Sequence, residues 1–212
     1  MRIVRLGVQV RQPFLGRNFC KLVSTSKSER PNARGYRITI HEVKFHLRDS
    51  GPDDFETLFQ IDQQCFDAGI AYSRSELATY IRRRNAFTLV AEQISSDAPA
   101  RRSDANSIAG FLVAHSSPRG QGHVITIDVL PAFRRFGVGT SLLSAAEDRL
   151  RCKNCHVVRL ETAVDNRAAL SFYKRHGYYV RETIPRYYPN SMDAFVLQKD
   201  LLSVSEPATL PQ

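Results

Sequence analysis

The stretch Asp128-Val-Leu-Pro-Ala-Phe-Arg-Arg-Phe-Gly-Val-Gly-Thr-Ser-Leu-Leu143 constrains the fold more tightly than any other. The apolar run from Val124 to Leu130 predicts a strand, and Pro131, with no N–H to give a ladder, ends it. A basic, glycine-bearing turn follows over Arg134-Arg135-Phe136-Gly137-Val138-Gly139. An apolar stripe at Leu142, Leu143, Ala146 and Leu150 then predicts a helix. Strand, glycine turn and helix together make a receptacle for an anion. The first amides of such a helix point outward without partners inside it, and its dipole adds partial positive charge there. Gly137 and Gly139 lack Cβ atoms, so a phosphate can reach the backbone, while Arg134 and Arg135 bring fixed charge and forked donors. The turn is neither a Gly-x-x-x-x-Gly-Lys-Ser/Thr loop nor a complete three-glycine dinucleotide fingerprint. Glycines placed only for tight strand-to-helix packing would give the same turn, so it needs support from the rest of the chain.

At 212 residues the chain suits one domain with a sizeable core and an extra segment. No stretch reaches the ~20 apolar residues of a membrane span. The net charge of +9 suggests nucleic acid until its distribution is read. Residues 1–40 hold nine Lys/Arg and one acid, whereas residues 41–212 hold twenty-one Lys/Arg and twenty acids. The charge belongs to the arm, so a nucleic-acid role is not expected of the domain, and any such contact would run through the arm. The arm lacks helical or strand periodicity. It fits a disordered, solvated basic segment, an Arg- and Ser-rich targeting segment, or a translation start assigned upstream of the true one. Cys20, Cys65, Cys152 and Cys155 do not form a secreted disulfide pattern. Cys152-Lys-Asn-Cys155-His156 lacks the second ligand pair of a structural zinc site, and no metal is expected.

Read in order, the chain opens its folded part with an alternating strand from Val43 to Arg48. Acids and Pro52 start a helix that carries Phe55, Leu58, Phe59, Cys65 and Phe66 inward. A loop from Asp67 to Tyr72 precedes the capping box Ser73-x-x-Glu76 and a second short helix with Leu77, Tyr80 and Ile81 on one face. Strands are expected at 87–93, 108–115, 157–161, 178–184 and 194–198, with a polar linker at 95–107 and a loose tail at 203–212. On the 157–161 strand, Val158 and Leu160 face one side and Arg159 and Glu161 the other. Asn166 opens a helix that Gly177 closes. Asn166 and Tyr173, seven residues apart, then share a face about 10 Å apart along the axis, where an elongated ligand could meet both.

These residues carry a resemblance. Arg134-x-x-Gly137-x-Gly139 after Val129-x-Pro131 is similar to the acetyl-CoA pyrophosphate loop of the GNAT superfamily of N-acetyltransferases. The similarity continues through Leu160-Glu161, Asp165-Asn166, Ala168-Ala169, Phe172-Tyr173 and Gly177-Tyr178, and covers residues 43–202. Glu161 and Tyr173 lie twelve residues apart, as do the base and acid of the ribosomal-protein alanine N-acetyltransferases. The resemblance implies an α/β fold with a mixed, mostly antiparallel sheet, splayed beside the cofactor strand, with helices on both faces. It implies that Val129, Arg134, Arg135, Gly137, Val138, Gly139, Thr140 and Asn166 hold acetyl-CoA. Glu161 becomes the base for the acceptor ammonium and Tyr173 the acid for the departing thiolate. No covalent acyl-enzyme is required, so Cys65, Cys152 and Cys155 have no part.

The loop Arg186-Tyr187-Tyr188 with Asp193-Ala194-Phe195 resembles the closing loop of protein N-terminal acetyltransferases. The acceptor contacts implied are Phe66, Ile70, Tyr72, Tyr187 and Tyr188. An α-amine loses its proton about 2.5 units below a lysine side chain, a difference of roughly 3.4 kcal/mol, which suits a single carboxylate. The alanine-acetylating relatives have a shorter first loop with a tryptophan; this chain has no Trp, so the acceptor stays open. The expected acceptor is a protein or peptide N-terminus, a ribosomal protein among the candidates, with the enzyme cytoplasmic and a monomer or weak dimer. Two rivals remain. A small-amine acetyltransferase would show a closed acidic pocket built from Asp62, Asp67 and Asp193. A non-catalytic acyl-CoA sensor would have no use for Glu161 and Tyr173.

Overall fold

The computed structural model describes residues 5–6, 44–66, 70–94 and 108–201. The chain runs through β1 (Arg5–Leu6), β2 (Lys44–Asp49), α1 (Phe55–Cys65), α2 (Arg74–Ile81), β3 (Ala86–Ile94), β4 (Ile108–Ser116) and β5 (Gln121–Val129). It continues through α3 (Val138–Cys152), β6 (Val157–Ala163), α4 (Arg167–Arg175), β7 (Tyr179–Ile184) and β8 (Ala194–Asp200). Seven strands lie in the order β2-β3-β4-β5-β6-β8-β7, antiparallel except where β5 meets β6. The short β1 pairs with β5, Arg5 beside Thr126 and Leu6 beside Ile127. Otherwise the readings for residues 1–40, for Asp67, for the linker and for the tail fall outside the described residues.

The helices take both faces. α3 packs its Leu142, Leu143, Ala146 and Leu150 against one face, together with Val158, Leu160, Ala169 and Tyr173. Each fully buried leucine there contributes about 1.5–3 kcal/mol. The opposite face carries Leu58, Ile61, Cys65, Tyr72 and Leu77 of the α1–α2 segment, with Ile125 and Tyr188. Ser73 caps α2 as its spacing requires: its hydroxyl accepts from the Glu76 amide, and the Glu76 carboxylate accepts from the Ser73 amide. α1 stops one residue earlier than expected. Phe66 has extended dihedrals and packs, half-buried, against the second core.

The sheet opens at β5. Its ladder to β6 holds only from Gln121–Val157 to His123–Arg159. Immediately beyond, the register to β4 shifts between Val113 and Ala114, which pair with Thr126 and Val124 and leave Ile125 as the extra residue. A bulge bends its strand and sharpens the local twist, so β5 turns away from β6 where their pairing ends. At the far end of β5, Gly110 on β4 allows the strands to close up. A Cβ at Gly110 would stand 2.5 Å from the Asp128 carbonyl oxygen.

Candidate active site

The gap between β5 and β6 gathers the expected chemistry. At one mouth is the glycine turn. Arg135 and Gly137 both have positive φ, 70° and 83°, and Gly137 leads directly into α3. A Cβ at Gly137 would meet nothing within 4 Å, so the backbone there is open to a bulky anion. The residues present therefore fit a pyrophosphate. Arg135, Phe136, Gly137 and Thr140 are exposed, Gly139 is half-buried and Val138 is in the core. Arg134 is placed differently from its neighbour. Its Nε donates to the Val129 carbonyl at 2.9 Å, and its charge bears on Cys65 beneath α1. The guanidinium thus lies under the end of β5, with Nη2 buried and unpartnered among the described residues. Asn166 caps α4, its Oδ1 accepting from the Ala169 amide at 3.0 Å.

Tyr173 is fully buried on α4, and its hydroxyl has no hydrogen-bond partner among the described residues. Burial, then the charge of Asp128, then Tyr188 and Glu161, hold its phenol well above the ordinary value near 10. The group is a protonated donor at neutral pH. Glu161 is 8% exposed, and His123 Nε2 lies 2.9 Å from its Oε2. Neither Arg159 nor Arg181 takes that carboxylate; both donate to Gln198 Oε1. The strand alternation is as expected, with Val158 and Leu160 in the α3–α4 core and Glu161 turned away from it.

Around the other mouth, Tyr72 and Tyr188 are buried and Ile70, Phe66 and Tyr187 half-buried. Tyr72 stacks at a tilt on Tyr80, and Tyr187 meets Tyr188 edge to face. The Asp62 carboxylate accepts from the Tyr72 amide at 2.8 Å and from Gln63, so it fastens the α1–α2 loop. Asp193 accepts from the Arg186 amide within its own loop. The Cys65 thiol is pushed up to about 12, by burial first and then by Asp128, which keeps it a thiol. Cys155 is buried in the main core, and Cys152 is exposed at the end of α3.

Sequence reading missed two residues here, His123 and Asp128. His123 reaches Glu161 from another strand, thirty-eight positions away, and only the β5–β6 register brings them together. Asp128 did carry a signal: it is a lone charge inside the buried run of β5, and it is fully buried in the fold.

A mixed sheet split at one strand, with a glycine turn at one mouth and a buried phenol and carboxylate inside, defines the acetyltransferase class of fold. The chain belongs to the acetyltransferase (GNAT) family, whose profile matches residues 55–178. An N-alpha-acetyltransferase of Sulfurisphaera tokodaii is 35% identical over 82 residues, 38% of this chain and 49% of that protein. N-alpha-acetyltransferase 30 of Schizosaccharomyces pombe is 35% identical over 81 residues, 38% of this chain and 54% of that protein. The chain spans about half the length of the curated relatives it matches. The crystal structure of Ard1 from Thermoplasma volcanium superposes with a TM-score of 0.64 at 27% identity, covering 75% of this chain and 99% of that one. The ribosomal-protein-S18-alanine N-acetyltransferase of Escherichia coli superposes at 0.63 over 80% of this chain and 100% of that one; at 17% identity it shares the fold.

Proposed function

We propose that the protein transfers an acetyl group from acetyl-CoA to the α-amine of a protein or peptide, by direct attack within a ternary complex. The observation that carries this reading is the buried Tyr173 hydroxyl in the splay, unpartnered among the described residues, with the Glu161–His123 pair nearby. The glycine turn and the first amides of α3 would hold the pyrophosphate, with Arg135 beside them and Asn166 along the same gap. Acetyl-CoA supplies the activated acetyl thioester. Glu161, held by His123, takes the proton from the acceptor ammonium, which leaves a neutral nucleophile. The Val129 backbone on the anchor strand orients the acetyl group, and Tyr173 gives its proton to the leaving sulfur. Tyr72, Tyr187 and Tyr188 wall the acceptor side. The Asp62 carboxylate accepts from the Tyr72 amide and that of Asp193 from the Arg186 amide, which favours the peptide reading over a small-amine pocket lined by these acids.

The test is thiol release from acetyl-CoA with short peptides of differing free N-termini, and with spermidine and lysine as controls. Turnover on a peptide class, lost when its N-terminus is blocked, is the expected result. Turnover on the small amines alone would overturn it. Tight CoA binding without any turnover would make the protein a sensor.

A further inference from the structure

The strand registers line up one polar row across the sheet. His115 on β4 pairs with His123 on β5, His123 with Arg159 on β6, Arg159 with Gln198 on β8, and Gln198 with Tyr179 on β7. Side-chain contacts put the whole row on one face. The two histidine rings meet edge-on, Arg159 Nε donates to Gln198 Oε1 at 2.9 Å, and Gln198 Nε2 donates to the Tyr179 hydroxyl at 2.8 Å. It is also the face of Glu161, whose Oε2 lies 2.9 Å from His123 Nε2. Arg181, the extra residue of a bulge in β7, turns onto the same face and donates from Nη1 to Gln198 Oε1 at 2.7 Å. Two guanidinium groups thus converge on one buried, neutral oxygen, and each spends there one of its five N–H donors. Among the described residues neither forms an ion pair. The carboxylates around them are Glu161, held by His123; Asp200, which accepts from Gln198 Nε2 and the Tyr179 hydroxyl at the other end of that amide; and the exposed Glu182, one row further along. Arg181 and Tyr179 are exposed and Arg159 is half-buried, so the row is open to an incoming chain.

We propose that Arg159 and Arg181 form a seat for an acidic side chain at the second or third residue of the acceptor peptide. This rests on the α-amine reading and adds what is recognised beyond the amine. From Glu161, one direction along β6 leads to Ala163, where Ala194 pairs with it and the buried Tyr188 closes the way. The other direction leads out over Arg159. Glu161 and Arg159 stand two residues apart on one strand, about 6.6 Å, which is what two residues of an extended acceptor span. A carboxylate arriving there meets forked donors and makes charge-assisted bonds, whereas an amide of the same shape makes only ordinary ones. Because the seat is partly open to water, the preference is moderate and weakens with salt.

The experiment uses the full chain at saturating acetyl-CoA and peptides of the best class from the panel above, made as twins with Glu or Gln at the second residue or at the third. On the wild type, the Glu twin at one of the two positions is expected to show a kcat/KM about fivefold higher or more, with the difference in KM and narrowing as salt is raised. Arg181→Gln and Arg159→Gln are each expected to bring that ratio within about twofold. Arg181→Lys, which keeps the charge without the fork, is expected to keep part of it. Calorimetry with CoA reports whether each variant is folded, and Arg181, exposed on the edge strand, carries the test if Arg159→Gln is not. Equal kcat/KM for the twins at both positions, or a ratio that survives in folded Arg181→Gln, would overturn the seat and leave the enzyme reading standing. A wild type silent on every peptide would overturn both.

Discussion

At the scale of single residues, the arrangement separates binding from chemistry. Tyr173→Phe and Glu161→Gln each keep the side chain's shape and remove one proton-handling group. Each is expected to lower kcat about 10²–10⁴-fold while leaving acetyl-CoA affinity unchanged. Steady-state kinetics and calorimetry check this, and a variant with full turnover would refute the assignment. Gly110→Ala is a different kind of test. Its Cβ would collide with the Asp128 carbonyl, a backbone atom that cannot swing aside. The substitution is expected to cost about 1–3 kcal/mol, as overpacking does, and to lower Tm by roughly 2–4 °C for each of those. An unchanged melting temperature would show that β4 and β5 can part there without loss. Gly137 differs again, since a side chain there would meet only open space. Gly137→Trp is expected to weaken acetyl-CoA binding through backbone strain at φ 83° and through occupation of the mouth. Intact affinity would remove the phosphate loop from the site.

At the scale of elements, what could be read in advance was what repeats or caps. Strand alternation, the α3 stripe, the Ser73 box, the Asn166 cap and the Gly177 stop are local, and the structure carries them within a residue or two. The bulge at Ile125 was not legible, because its cause is the register between β4 and β5 and not the composition of either strand. Glu161 and Tyr173 could be picked out only through the family resemblance, but the partner of Glu161 could not, since His123 reaches it across a strand pair. That same row of strands has a pH consequence. His115 on β4 lies edge-on to His123, ring centroids 5.3 Å apart. Burial, with His123 and Arg83, lowers its pKa to about 4. The unfolded chain takes up this proton near pH 6.5 and the folded chain only near pH 4, so the unfolded state binds more protons between them. Stability from this group is therefore present above about pH 6.5 and is lost as pH falls toward 4. Denaturant melts at pH 7 and pH 5 should show this loss, and His115→Gln should shrink it; an equal loss in the variant would assign it elsewhere.

At the scale of the molecule, charge and fold are divided. The arm up to residue 40 carries nearly all of the net charge, and the acetyltransferase fold that follows is close to neutral. The two parts meet at one described place, where Arg5–Leu6 runs parallel to β5 in the gap. This strand lies beside Thr126 and Ile127, past the point where β6 has left. An orphaned sheet edge accepts any extended backbone, because main-chain groups carry the recognition. In this structure the edge of β5 beyond β6 is taken by the chain itself. A ligand that needs this same edge would bind with its intrinsic affinity scaled by the fraction of molecules in which that strand has lifted away. Hydrogen exchange at the amides of Arg5 and Leu6 is expected to quicken when acetyl-CoA is added, while unaltered protection would mean that strand and ligand share the gap. Under the first outcome the gap is a seat under competition, and whatever engages the basic arm elsewhere tunes from a distance how readily it is taken.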